Sequence, residues 1–137
     1  MTDTWRGRVA LRFRDLDAFG HVYHADYLTF LDELRTAWFG DVLRLDDPGS
    51  YVVARVEIDY VSSLTAADTS VTGSFGVERT GTSSLTLRER LLADDGREVA
   101  RTRVVVVLRE RATGASRPLT ECERATATRA EVPSGPT

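Results

Sequence analysis

Asp15, Asp17, His21 and His24 fall within one short segment, Asp15-Leu16-Asp17-Ala18-Phe19-Gly20-His21-Val22-Tyr23-His24-Ala25-Asp26-Tyr27-Leu28, which carries both histidines of the chain. The segment reads as a turn feeding an amphipathic helix. A carboxylate beside a helix N-terminus suits attack on a carbonyl, because the first N–H groups of a helix lack intrahelical acceptors and can grip a developing oxyanion. Asp17 is the candidate nucleophile or general base. The backbone amides of Tyr23 and His24 are the candidate oxyanion donors, and the His24 ring could orient water or substrate. Gly20 supplies the backbone freedom for a sharp turn. In an extended chain Asp15 and Asp17 leave on opposite sides, which argues against a shared-proton dyad. One of them is left to cap or buttress the loop. His21 and His24 could also bind a metal with an aspartate, but no third firm ligand accompanies them.

Other chemistries lack their residues. All 18 basic residues are arginine, which excludes Schiff-base chemistry and P-loop phosphate binding. The single cysteine, Cys122, excludes an internal disulfide and a cysteine metal cluster. There is no G-x-S-x-G, G-x-G-x-x-G or H-E-x-x-H, and no cofactor is called for. A net charge of −3 argues against a nucleic-acid partner. No apolar run approaches the ~20 residues of a membrane helix. The polar start, Met1-Thr2-Asp3-Thr4-Trp5-Arg6, is not a signal peptide, so the cytoplasm is the expected location.

The elements that must hold the loop follow from periodicity. Val9, Leu11 and Phe13 alternate in a first strand over residues 8–13. From His24 to Leu43, Tyr27, Leu28, Phe30, Leu31, Leu34, Ala37, Trp38 and Val42 cover roughly 200° of a helical wheel, an arc wide enough for a largely enclosed helix. Arg35 falls inside that arc and must pair with a buried or interface carboxylate. Asp32, on the polar side, is a candidate to face substrate or support the site. Past the turn Asp46-Asp47-Pro48-Gly49-Ser50 the period becomes two, in strands over 51–61, 71–77, 85–91 and 97–109, with Asp95-Gly96 as a hairpin turn. The order gives a single α+β domain, a five-stranded antiparallel sheet with one long helix against it. Residues 1–120 form the domain; 121–137 are expected to be a tail, a short helix that then frays. One helix covers only part of one sheet face, so oligomerisation is expected.

The segment resembles the hotdog-fold acyl-CoA thioesterases, specifically the 4-hydroxybenzoyl-CoA thioesterase family and its YbgC-like branch. The family's stretch is D-x-D-x-x-G, then His, Ile or Val, then V-x, then His, Asn, Tyr or Phe, then x-x-Y and Leu or Phe. Asp32 and Arg35 continue the match, and Tyr23-His24 favours the YbgC-like side. The resemblance implies a sheet wrapped around the helix. It also implies edge-to-edge homodimers, often paired into homotetramers, with active sites between subunits. It puts Asp17 at the catalytic carboxylate and the His24 N–H at the carbonyl-polarising position. Gly20 and His21 are carried along in the substrate-binding loop, and Ser83 and Ser84 fall in a turn near bound CoA. The substrate implied is an acyl-CoA, with an acyl-carrier protein as the other possible carrier. CoA phosphates require arginines, with Arg79, Arg88, Arg90, Arg101, Arg103, Arg109 and Arg111 as candidates.

Thioester hydrolysis fits this set, because a thiolate with a reference pKa of ~8.5 leaves without a strong general acid. Two rivals stay open: a hydratase or dehydratase acting on acyl thioesters, and a non-catalytic acyl-thioester binding protein.

Overall fold

The computed structural model describes residues 5–132. Five strands, β1 (Trp5–Ala10), β2 (Tyr51–Tyr60), β3 (Ser70–Thr80), β4 (Ser84–Ala93) and β5 (Glu98–Leu108), form one sheet in the order β1-β3-β4-β5-β2. Every neighbouring pair is antiparallel. Helix α1 spans His24–Leu43, the bounds its periodicity predicts, and a second helix, α2, spans Glu121–Arg129. The α+β expectation therefore stands. The first strand sits earlier than expected, because the chain tightens into a helical turn at Phe13–Asp15, closed by the Asp15 N–H donating to the Arg12 carbonyl at 2.9 Å.

The buried stripe of α1 is Tyr27, Phe30, Leu31, Leu34, Arg35, Trp38, Phe39 and Leu43. It is rotated slightly from the wheel's arc: Leu28 and Ala37 are exposed, while Phe39 stacks on Tyr51 with ring centroids 3.9 Å apart. Facing residues of the sheet, Val71, Phe75, Val77, Leu85, Leu87, Leu91, Val104 and Val106, are all buried. Two glycines opposite each other in the β1–β3 ladder, Gly7 and Gly73, let the helix approach closely. A Cβ at Gly73 would stand 2.6 Å from Leu34 Cδ1, and one at Gly7 2.9 Å from Leu34 Cδ2. Leu34 thus fills a hole that exists because two side chains are missing.

Beside it lies the partner Arg35 requires. Arg35 Nε donates to Glu89 Oε2 at 2.7 Å and Nη2 to Glu89 Oε1 at 2.8 Å, a bidentate pair between α1 and β4. Thr102 Oγ1 donates to Glu89 Oε1 at 2.8 Å, and Arg35 Nη1 donates to Asp32 Oδ1 at 2.7 Å. The Arg35 and Glu89 side chains are 3% and 0% exposed. Burial holds the Glu89 carboxyl above its ordinary value, against the pull of Arg35 and Thr102.

The two sheet edges are treated differently. Beyond Phe75 the C-terminal segment pairs with β3: Val77 N–H donates to the Ala130 carbonyl at 3.0 Å and Val132 N–H to the Val77 carbonyl at 2.8 Å. Residues 121–132 therefore do not fray. A capping box at Thr120 and Glu123 starts α2, and a bidentate Arg117–Glu123 pair, at 2.8 Å in both bonds, ties it down. The Arg117 guanidinium holds the Glu123 carboxyl below its usual range. The remainder of the expected tail, 133–137, lies outside the described residues. The other edge, β2, has no strand beyond it among the described residues, and its valines Val52, Val53 and Val56 are exposed, with Tyr60 and Val61.

Replacing Glu89 by Gln leaves Arg35 buried without its counter-charge and is expected to cost about 3–5 kcal/mol of stability. The double replacement Arg35→Met with Glu89→Leu is expected to cost much less. Urea unfolding of the three proteins checks both.

Candidate active site

The loop from Leu16 to Tyr23 is fastened from two sides. Leu16 and Val22 form an isolated bridge, as do His21 and Thr65. The Val22 N–H donates to the Leu64 carbonyl at 2.9 Å, and the Ala66 N–H to the Gly20 carbonyl at 3.3 Å. Gly20 adopts φ +77°, so its expected role in the turn is met. The two aspartates differ, though not by strand alternation, because Asp15 closes the helical turn Phe13–Asp15. Asp15 is buried: its Oδ2 accepts the Arg12 N–H at 2.8 Å and its Oδ1 lies 3.5 Å from Arg12 Nη2. Asp17 is half-buried. Its Oδ1 accepts the Phe19 N–H at 2.8 Å and the His21 N–H at 3.2 Å. Among the described residues its Oδ2 has no partner.

Helix α1 starts without a side-chain cap; Tyr23, at the N-cap, makes none. Here the expected oxyanion pair is corrected. The Tyr23 N–H donates to the Asp15 carbonyl at 3.1 Å and is not available. The next two amides, His24 and Ala25, carry no hydrogen bond among the described residues, and the Asp26 N–H returns to the Tyr23 carbonyl at 2.9 Å. The open pair is therefore His24 and Ala25, at the positive end of the helix dipole, with Asp26 in the first turn.

His24 also lines an open cleft of about 250 Å³, bounded by Val22, His24 and Tyr27 on one side and Tyr60 to Ser63 on the other. Tyr60 Oη donates to the His24 carbonyl at 3.2 Å. Tyr27 Oη accepts the Leu64 N–H at 2.9 Å, and burial pushes its phenol up from the ordinary value. The Tyr23 and His24 rings lie 4.5 Å apart.

The turn holds Asp17, Gly20 and His21 together, Tyr23 and His24 follow at the start of α1, and Asp32, Arg79, Ser83 and Ser84 lie elsewhere in the chain. His21 is exposed and paired by its backbone to Thr65 rather than lining the cleft. Asp32 braces Arg35 at 2.7 Å, so its support is given to the buried ion pair. Ser84 pairs with Val107, which faces Val52 across β5 and β2. That level is eight residues along β2 from Tyr60, roughly 26 Å at ~3.3 Å per residue. Of the arginine candidates, Arg88 and Arg103 are held by Glu78, Arg90 and Arg101 by Glu98, and Arg111 by Asp47. Arg109 Nε donates to the Gly49 carbonyl at 3.0 Å. Arg79 is exposed and has no ion pair among the described residues.

Tyr60, Ser62 and Ser63 were not singled out by sequence reasoning, and Tyr27 reads there only as part of the helix stripe and the motif. Tyr60 reads there as one more alternating strand residue, and its contact with His24 spans 36 positions.

Residues 11–134 match the model of the thioesterase-like superfamily, and the chain belongs to that family. A thioesterase from Thermus thermophilus, solved with coenzyme A and Zn, is 33% identical over 92% of this chain and 92% of its own, with a TM-score of 0.79. A Bacillus stearothermophilus protein predicted to be a thioesterase matches at TM-score 0.85, with 24% identity over 96% of this chain and 99% of its own. A Staphylococcus aureus protein solved with CoA matches at TM-score 0.84, with 14% identity over 99% of this chain and 91% of its own. The latter two show the fold alone. No curated protein matches the chain. No helix among the described residues is long and apolar enough to cross a membrane.

Asp15→Ala is expected to loosen the loop and cost about 1–2 kcal/mol, the usual loss for a capping side chain. Asp17→Asn, which keeps an oxygen for the Phe19 and His21 amides, is expected to stay within ~0.5 kcal/mol of the parent. Thermal melts of the two variants check this division of roles.

Proposed function

We propose that the protein hydrolyses acyl-CoA to a free carboxylic acid and CoA, in the manner of the 4-hydroxybenzoyl-CoA thioesterase family and its YbgC-like branch. Membership of the thioesterase-like superfamily supports thioester hydrolysis in general. The observation that carries the finer reading is the uncapped start of α1. Its open amides follow the loop that carries Asp17, a half-buried carboxylate with one oxygen unpartnered among the described residues, and His24 lines an open cleft. The thioester carbonyl oxygen accepts from the His24 N–H, and Asp17 either attacks the carbonyl carbon or takes a proton from the attacking water. The C–S bond then breaks and CoA leaves as thiolate; on the first route water then hydrolyses the mixed anhydride on Asp17, releasing the acid and restoring the carboxylate. CoA, rather than a carrier protein, is the favoured carrier: the Thermus relative was solved with coenzyme A.

The working unit we propose is a homodimer, and by family resemblance a pair of such dimers. β2 is a ten-residue edge with exposed valines, a surface that invites another strand. A second copy of β2, antiparallel across a twofold axis, covers it. That pairing sets the Tyr60 end of one subunit beside the Tyr51 end of the other. Asp17 and His24 then approach the partner's Ser83, the partner's Ser84 and the partner's Arg79, the half of the site that one chain holds at its far end. Arg79, lacking an ion pair among the described residues, is the arginine best placed to meet a CoA phosphate.

Thiol release from aromatic, short, medium and long acyl-CoAs tests the reaction, and Asp17→Asn should lower it by several orders of magnitude. A loss below tenfold would reject Asp17. Water addition to crotonyl-CoA without thiol release would point to the hydratase instead, and binding without any turnover to a binding protein. The parent should elute as a dimer or larger at micromolar concentration, and the double variant Val53→Lys, Val56→Lys should shift it toward monomer in sizing experiments.

A further inference from the structure

We propose that Tyr60 is a positioning residue for the amides at the start of α1, acting on the Ala25 N–H through the His24 carbonyl. The inference rests on the thioesterase reading and deepens it. The His24 carbonyl and the Ala25 N–H belong to one planar trans peptide and point in opposite directions. Whatever fixes the carbonyl therefore fixes the N–H. In α1 that carbonyl already accepts the N–H of the residue four positions on, Leu28. Tyr60 Oη adds a second donor at 3.2 Å from a different element, the end of β2.

Two consequences follow. A first helical turn frays easily because its N–H groups have no partners earlier in the helix, and α1 has no side-chain cap to prevent this. Tyr60 supplies the missing anchor from outside the helix. A carbonyl that accepts an extra hydrogen bond also polarises its own amide, making the Ala25 N–H a stronger donor. With the Tyr23 N–H committed to Asp15, Ala25 is the natural second donor beside His24. The ring of Tyr60 supports the arrangement: it stands perpendicular to the His24 ring at 6.0 Å and tilts against Tyr27 at 5.5 Å. It is 45% exposed, so the hydroxyl can be removed with little effect on the core.

Tyr60→Phe removes the hydroxyl alone. Relative to the parent, kcat for thiol release should fall about tenfold while KM stays within twofold. Amide exchange over Asp26 to Leu28 should quicken at least fivefold, with the melting temperature and dimer unchanged. Tyr60→Leu, which removes the ring as well, should lose no less kcat. An unchanged kcat in Tyr60→Phe, or a fall in kcat with no change in exchange at Asp26 to Leu28, would overturn the positioning role while leaving the thioesterase reading intact. A parent that releases no thiol from any acyl-CoA would overturn both.

Discussion

A twenty-residue helix lying on a sheet must be stopped from sliding and from rolling, and in this protein one buried ion pair does both. Arg35 reaches Glu89 through two parallel hydrogen bonds, with Thr102 on the same carboxylate and Asp32 on the free edge of the guanidinium. Apolar contacts tolerate small displacements; a bidentate fork does not. Removing two charges from water costs several kcal/mol per ion, so the pair contributes little net stability. Its effect is on register. A one-residue shift of α1 would move the helix by ~1.5 Å and turn it by about 100°, separating Arg35 from Glu89 and lifting Leu34 from the hole over Gly7 and Gly73. The position of the open amides at His24 and Ala25 is set by this fixed rotation.

Around that start the loop assigns two neighbouring carboxylates to different tasks. Asp15 is buried with its charge paired to Arg12 and its carbonyl holding the Tyr23 amide. Asp17, two residues later, uses one oxygen to hold the turn and keeps the other unengaged among the described residues. A fully buried, fully bonded carboxylate shapes a loop but is poorly placed to react, and a fully solvated one reacts without direction. Asp17 lies between these limits. The same economy recurs in the cleft, where the hydroxyls of Tyr27 and Tyr60 both serve the backbone.

The sheet edges explain why a single chain looks unfinished. One edge is joined by the chain's own C-terminal segment, since residues 130–132 bond to β3 at Val77. The other edge is β2, whose exposed valines have no strand beyond them among the described residues. Tyr60, which reaches the first turn of α1, stands at the end of that same strand. In the dimer we propose, the strand that mates with the partner is therefore also the strand that steadies the amides.

Local pattern carried much of this protein. The helix from His24 to Leu43, the succession of one helix and five strands along the chain and the turn at Gly20 all depend on residues a few positions apart, where periodicity and backbone freedom act directly. The need for a carboxylate opposite Arg35 was legible too, because a guanidinium on an apolar stripe must be paired. That the carboxylate is Glu89, 54 positions away, was not. Nor was the capture of the Tyr23 amide by Asp15, the reach of Tyr60 to His24, the docking of residues 130–132 on β3, or the distance between Ser84 and His24. Each depends on how the chain returns to itself, and a hydrogen bond of about 3 Å leaves no trace in composition or period when its partners are far apart in sequence.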